Sequence, residues 1–369
     1  MKIAHVTQPV TAGVAKVVLQ LATAQHDRGW SVTLVCPRTG WLADRAREAG
    51  IDVHAWQASR GPGPASAGEV TRLRRILDRL APDVVHLHSS KAGLAGRLAV
   101  RGTRPTIFQP HLWSFQSAPG PLRSAAAAWE RFASRWTHQL VCVSDDELAA
   151  GRAAGVTAAA EVVCNGVDTD RLRPADRSAA RRGLGLAEHA PTAVCVGRLA
   201  AQKGQDQLLS AWPAVLAEVP AARLVLVGDG PLGDRWRTGH PVAAHPSVRW
   251  WGHSDAVAEH YAAADVLVLP SRAEGMALVP LEAMACARPV VAFDVGGVRQ
   301  SVGGAGAVVP PGDGAALARA IATRLADPAL AAREGLLGRH RVDNLFGGDR
   351  VHERIATLVE KLTDPGAAG

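Results

Sequence analysis

The stretch "ADVLVLPSRAEGMALVPLEAMACARPVVAF", residues 264–293, contains three kinds of segment in a fixed order. "ADVLVLP" is an apolar run of strand length, "SRAEGMA" a loop, "LVPLEAMACA" a helix and "RPVVAF" the next strand. Short apolar strands separated by helices predict a parallel sheet covered on both faces. The same alternation extends in both directions. Upstream stand "TAVCVG", "RLVLVG" and "SVRWWG". Earlier still come "KIAHVT", "SVTLVC", "IDVHAW", "PDVVHLH", "PTIFQ", "HQLVCVS" and "AEVVC". The rhythm pauses over residues 165–191, which predicts two α/β domains, 1–172 and 173–345, followed by a helix over 346–369. A cleft at the carboxyl ends of two doubly wound sheets is the default ligand site of such an architecture.

Composition narrows the function. The 369 residues are 47% apolar and 20% charged, which is globular rather than disordered. No apolar run reaches the roughly 18 residues of a membrane span, and the start lacks the apolar core of a signal peptide. The five cysteines (Cys36, Cys142, Cys164, Cys195 and Cys286) are widely spaced without a CxxC pair. These features together predict a reduced, cytoplasmic protein without a cysteine metal site. The net charge of +7 points to anionic partners, but no basic stripe interleaved with aromatics marks nucleic acid. "SRGPGPASAG", residues 59–68, reads as a mobile surface loop.

Two familiar patterns are decoys. "GDGPLG", residues 228–233, satisfies GxGxxG, yet Asp229 would set a carboxylate near phosphates and Pro231 would remove a backbone donor. It also follows the second strand of its domain, not the first. "DTD", Asp168 to Asp170, resembles a metal-binding DxD but sits in the interdomain segment, where a solvated turn is the better reading.

The opening stretch holds two glutamates, Glu274 and Glu282, eight positions apart in apolar sequence. The amides of Gly275, Met276, Ala277 and Leu278 gather at a helix N-terminus, where unpaired N–H groups and the helix dipole favour an anion. An ionised carboxylate is acceptor-only and suits paired sugar hydroxyls. Phosphate-binding amides flanked by carboxylates fit a nucleotide sugar; a capping Glu274 and a salt-bridged Glu282 are the structural alternative. Upstream, Gly197, Arg198 and Lys203 lie in the loop after a domain's first strand, and two cations there suit a diphosphate or are plain surface charges. Gly13, in "TQPVTAGVAK", stands at the helix N-terminus after the first strand, allowing close backbone approach to a ligand.

Together, "VCNGVDTDRLRP", "VGRLAAQKG", "LVLVGDGP", "PSRAEGMALVPLEAMA" with its E-x7-E spacing, and "VGGVRQSV" resemble the retaining glycosyltransferases of family 4. The resemblance covers nearly the whole chain. It implies a GT-B fold of two Rossmann-like domains, with 1–172 binding the acceptor, 173–345 the nucleotide-sugar donor, and the final helix crossing back to the first domain. It also implies that Arg198 and Lys203 neutralise the donor diphosphate and Glu282 holds the ribose. Glu274 and the following amides would hold the transferred hexose. His111, in "FQPHLWSF", matches the family's cleft histidine, against a loop histidine satisfied by its neighbours. The expected catalytic set is His111, Arg198, Lys203 and Glu274, with no metal ligand and no cofactor beyond the donor.

The implied reaction is hexosyl transfer with retention, UDP being the expected nucleotide. The expected acceptor is a lipid-linked sugar or polysaccharide. A small natural-product or aminocyclitol acceptor is the alternative, and a nucleotide-sugar 2-epimerase the alternative of another class. Three positions depart from the family pattern: Ala12 and Ala287 replace usual glycines, and Arg299 stands where an acidic residue is common. Finally, "PLRSAAAAWERFASRWTH", residues 121–138, aligns Trp129, Phe132, Ala133 and Trp136 on one helical stripe and Arg131 and Arg135 on another. "TRLRRILDRL" adds Arg72, Arg74, Arg75 and Arg79. Packing onto the first domain or a solvated face are the plain readings; peripheral attachment to the inner face of the plasma membrane is the functional one.

Overall fold

A computed structural model describes residues 1–59, 61 and 63–364. Of the Gly/Pro-rich stretch, Arg60 and Pro62 lie outside the described residues, as does the end of the expected final helix beyond residue 364. The chain divides into two units. One comprises Met1–Gly166 together with the chain from Gly348, and the other Val167–Gly347. The boundary expected after residue 172 therefore falls inside the second unit.

The first unit is built on strands β1 (Lys2–Thr7), β2 (Ser31–Cys36), β3 (Asp52–Ala55), β4 (Val84–His88), β5 (Thr106–Gln109), β6 (Gln139–Cys142) and β7 (Ala160–Val162). They form one parallel sheet in the order β3-β2-β1-β4-β5-β6-β7. The strands are apolar because helices cover them: Val85, Leu87 and Phe108 pack with Leu73, Ile76, Ala92 and Trp113 in one cluster. The helix Gly348–Thr363 buries Ile355, Ala356, Leu358 and Val359 and packs against the helix Ala12–Asp27, where Arg28 pairs with Glu353.

The second unit holds β8 (Thr192–Val196), β9 (Arg223–Val227), β10 (Val248–Gly252), β11 (Val266–Leu269), β12 (Val290–Phe293) and β13 (Gly306–Val309). Their order is β10-β9-β8-β11-β12-β13, again all parallel. Strand β13 does not stand out in the sequence: "GAVV" is four residues long and flanked by glycine and proline clusters. Each sheet reverses strand order once, between β1 and β4 and between β8 and β11. At such a reversal the loops leaving the two strands diverge to opposite faces and open a crevice at their carboxyl ends.

All five cysteines are free, and four of them are buried, as small apolar side chains tend to be. Among the described residues no helix is long and apolar enough to cross a membrane.

Candidate functional site

The reversal between β8 and β11 brings together the expected donor residues of the second unit. Lys203 ends a short 3-10 turn, Ala201–Lys203, in the loop after β8. Glu274 lies in the loop after β11, and the helix Leu278–Ala285 follows it. The Lys203 Nζ donates to Glu274 Oε1 at 2.6 Å, and the Ser271 hydroxyl donates to the same oxygen at 2.6 Å. Glu274 is 7% exposed, so its charge is stabilised by this paired cation. Lys203 keeps about a quarter of its side chain exposed and remains able to meet an incoming anion.

Backbone contacts fix the two loops. Gly296, at a φ of 50°, approaches so closely that a Cβ would lie 2.0 Å from the Glu274 carbonyl oxygen, and Gly297 N–H donates to the Gly275 carbonyl at 2.7 Å. The "VGGVRQ" segment is thereby a backstop for the Glu274 loop. The "GDGPLG" glycines have a similar packing role. A Cβ on Gly228 would meet the Gly197 carbonyl oxygen at 2.2 Å, while Gly197 and Leu199 N–H donate to the Val227 and Asp229 carbonyls. The GxGxxG match thus records close loop-to-loop packing. Asp229 is taken by Arg237 at 2.8 Å and the His253 N–H at 2.9 Å.

Arg198 is half-buried in the same loop, where its carbonyl accepts from Gln205 Nε2 at 3.1 Å. Met276, Ala277 and Leu278 are buried, and Ala277 is the N-cap of the helix. Glu282 sits one turn further in, 5% exposed, and accepts from the Tyr261 hydroxyl at 2.6 Å. Burial first, and then the Glu282 charge, push the Tyr261 phenol well above its ordinary range, so Tyr261 stays a donor and holds one side of the carboxylate. Sequence spacing gave no sign of Tyr261, which lies 21 positions upstream on another helix.

The departures have a geometric meaning. Ala12 and Ala287 adopt φ of 64° and 55°, the left-handed region in which a Cβ costs about 1–2 kcal/mol. The backbone keeps the glycine conformation at both places although the residue has changed. Arg299 pairs with Asp294 at 2.5 Å beside the Gly296 backstop. "DTD" forms an Asx turn, with Asp168 Oδ1 accepting from the Asp170 and Arg171 N–H groups.

The first unit carries a second constellation at its own reversal. His111 follows β5 with φ 60°, and its Nε2 lies 3.2 Å from His88 Nδ1. Burial lowers its pKa to about 3, which keeps the imidazole neutral. Gly13 is the second residue of the helix Ala12–Asp27. The stripe expected over residues 121–138 splits. Ala133 is buried, Trp129 and Trp136 are half-buried and Phe132 is exposed. Glu130, not read from the sequence, is the buried anchor of that helix.

Two family profiles match the chain, "Glycosyltransferase Family 4" over residues 11–171 and "Glycosyl transferases group 1" over residues 190–327. A GDP-mannose-dependent alpha-(1-6)-phosphatidylinositol monomannoside mannosyltransferase of Mycolicibacterium smegmatis is 39% identical over 200 residues, 50% of this chain and 52% of the relative. The chain thus matches about half the length of this relative. The UDP-Gal:alpha-D-GlcNAc-diphosphoundecaprenol alpha-1,3-galactosyltransferase of Escherichia coli is 28% identical over 80% of both chains. Among solved structures, the sucrose-phosphate synthase of Thermosynechococcus elongatus superposes with a TM-score of 0.84 at 24% identity, covering 98% of each chain. Anabaena HepE in complex with UDP and glucose gives 0.84 at 22% identity, over 98% of this chain and 99% of that one. The architecture is the GT-B fold, and the chain belongs to glycosyltransferase family 4.

Proposed function

We propose that this chain is a retaining glycosyltransferase that moves a hexosyl group from a UDP-sugar to a lipid-linked or glycan acceptor without requiring a metal ion. The observation that carries the reading is the Lys203–Glu274 pair, held at 2.6 Å where the second sheet reverses, next to the N-terminus of the helix Leu278–Ala285. Arg198 and Lys203 neutralise the diphosphate as it leaves, the helix N-terminus adds its dipole, Glu274 receives sugar hydroxyls and Glu282 the ribose. Glu274 is already engaged by a lysine and a serine, which suits a holder better than a nucleophile. The leaving diphosphate oxygen then takes the acceptor proton on the same face, so that the new bond forms on the side where the old one breaks. His111, kept neutral by burial, is the first unit's contribution on the acceptor side. The E. coli relative, matched over most of its length, favours a UDP-sugar and an acceptor carried on a lipid.

Calorimetric titration with UDP-glucose, UDP-galactose, GDP-mannose and ADP-glucose tests the donor. A UDP-sugar is expected to bind at least tenfold more tightly than GDP-mannose. Preference for GDP-mannose, the donor in the M. smegmatis relative's name, overturns the choice of nucleotide. No binding by any of the four overturns the donor site as a whole. Product NMR should show the donor's anomeric configuration preserved.

The acceptor reading extends to the membrane at the cytoplasmic face. Leu122 and Phe132 are 63% and 43% exposed, and the Arg135 guanidinium lies 4.0 Å from the Phe132 ring centre. Exposed Arg123 and Arg131 belong to the same helix. Aromatic and aliphatic groups ringed by arginines fit an anionic lipid interface. Phe132→Glu is expected to cut co-sedimentation with anionic vesicles severalfold at low salt. Equal sedimentation of variant and wild type removes this face from the proposal.

A further inference from the structure

We propose that His5, His86 and His88 form a three-imidazole site for a divalent transition-metal ion, with zinc as the reference ion, at the strand reversal of the first unit. This inference does not rest on the donor reading and needs no nucleotide sugar.

The placement follows from the sheet. His5 on β1 is paired in register with His86 on β4, and His88 lies two residues further along β4, so it points to the same face. All three are fully buried. Their ring centres lie 5.2 Å apart for His5 and His86, 5.3 Å for His5 and His88, and 4.0 Å for His86 and His88. One ring nitrogen from each falls within 4.8 Å of the others. Metal–nitrogen distances of about 2.0–2.1 Å in tetrahedral geometry put ligand nitrogens about 3.3 Å apart. The His5 Nδ1 to His88 Nε2 separation is 3.0 Å, so the pair needs almost no adjustment and His86 must swing inward.

The outer nitrogens of His5 and His88 are arranged as those of metal ligands usually are, each tied to a neighbour that fixes ring orientation and tautomer. His5 Nε2 lies 2.7 Å from Gln25 Oε1, and His88 Nδ1 lies 3.2 Å from His111 Nε2. When His5 donates to Gln25 and His88 donates to His111, the two inward nitrogens both present lone pairs, and a cation resolves their repulsion. His86 supplies the independent observation. Both of its ring nitrogens are buried and lack a partner within hydrogen-bond geometry among the described residues. Gln109, whose Oε1 is likewise unpaired in that geometry, reaches one side of the ring as a side-chain hydrogen-bond partner. The other buried imidazole nitrogen calls for water or an ion. Three imidazoles leave a fourth position open, as in the zinc sites that keep a bound water.

The test uses untagged, full-length protein, stripped of metal, loaded with Zn2+ and desalted. One zinc per chain is expected by elemental analysis, with a nitrogen-dominated shell at about 2.0–2.1 Å by X-ray absorption. Gln25→Leu is expected to weaken zinc binding by about 10–100-fold, and His86→Leu by more. Thermal unfolding of each stripped variant checks that it folds. Should His86→Leu fail to fold, the wild-type stoichiometry, its absorption shell and Gln25→Leu decide. No retained zinc, a shell dominated by sulfur or oxygen, or equal uptake by wild type and a folded His86→Leu overturns the site. The cluster would then be a hydrogen-bonded chain of imidazoles between Gln25 and His111.

Discussion

Lys203→Ala is expected to lower kcat by about 10²–10³-fold, equivalent to about 2.7–4 kcal/mol of barrier. On the proposed reaction, negative charge grows on the departing diphosphate, and a fixed cation counts most where charge develops. The substitution has a structural consequence as well. Glu274 is almost fully buried and would lose its paired cation while keeping the Ser271 hydroxyl at 2.6 Å. The two effects separate in a double-mutant cycle with Glu274→Gln. If Lys203 served only to balance Glu274, removing it from a Glu274→Gln background would cost nothing further. If it meets the diphosphate, the loss in kcat persists in that background. A Lys203→Ala enzyme with near-normal turnover would remove Lys203 from the chemistry, and Lys203→Arg should retain charge but lose the fit to Glu274.

What the sequence made legible was the local part of the fold. Alternating apolar strands and helices implied two parallel sheets, because strand and helix signals are read within short windows. The same local logic placed Gly275 to Leu278 ahead of a helix, which begins at Leu278. Contacts between distant segments were not legible. Lys203 and Glu274 were assigned separate tasks, and their ion pair spans 71 positions. Tyr261 and Glu282 meet across two helices. Nothing in the sequence singles out His5 or the "HLH" of residues 86–88. Only the neighbouring of β1 and β4 turns them into one cluster. The glycines of "GDGPLG" look like a cofactor signature until the Gly197 and Leu199 carbonyls are seen pressed against them. Ala12 and Ala287 stand where glycines are usual in the family, yet only the structure shows that their backbones stay left-handed.

The largest stability effect is expected from Arg97→Met, at about 3–5 kcal/mol. Arg97, on the helix Ser89–Val100, and Glu130, on the helix Pro121–Ala133, are each 1% exposed and meet at 2.6 Å. Arg97 Nε also donates to the Gly93 carbonyl at 2.7 Å, and its guanidinium lies 4.0 Å over the Phe108 ring centre. Glu130 Oε1 accepts from the Ser114 hydroxyl at 3.0 Å. Removing the arginine strands a carboxylate in the interior with one hydroxyl for company. Arg97→Met/Glu130→Leu should recover most of the loss, because a buried pair replaced by apolar groups of similar volume is close to neutral. Urea unfolding of the two variants checks both expectations. A single-variant loss near the roughly 0–1 kcal/mol of an exposed pair would mean the pair is not buried in solution. The consequence reaches the helix surface. Phe132 is two residues from Glu130, about 200° around the helix, so drawing Glu130 inward turns Phe132 out toward the surface proposed to meet the membrane. Of the two variants, only the single one leaves a charge that gains by reaching solvent. It is therefore the one in which the helix should rotate and Phe132 lose its outward setting.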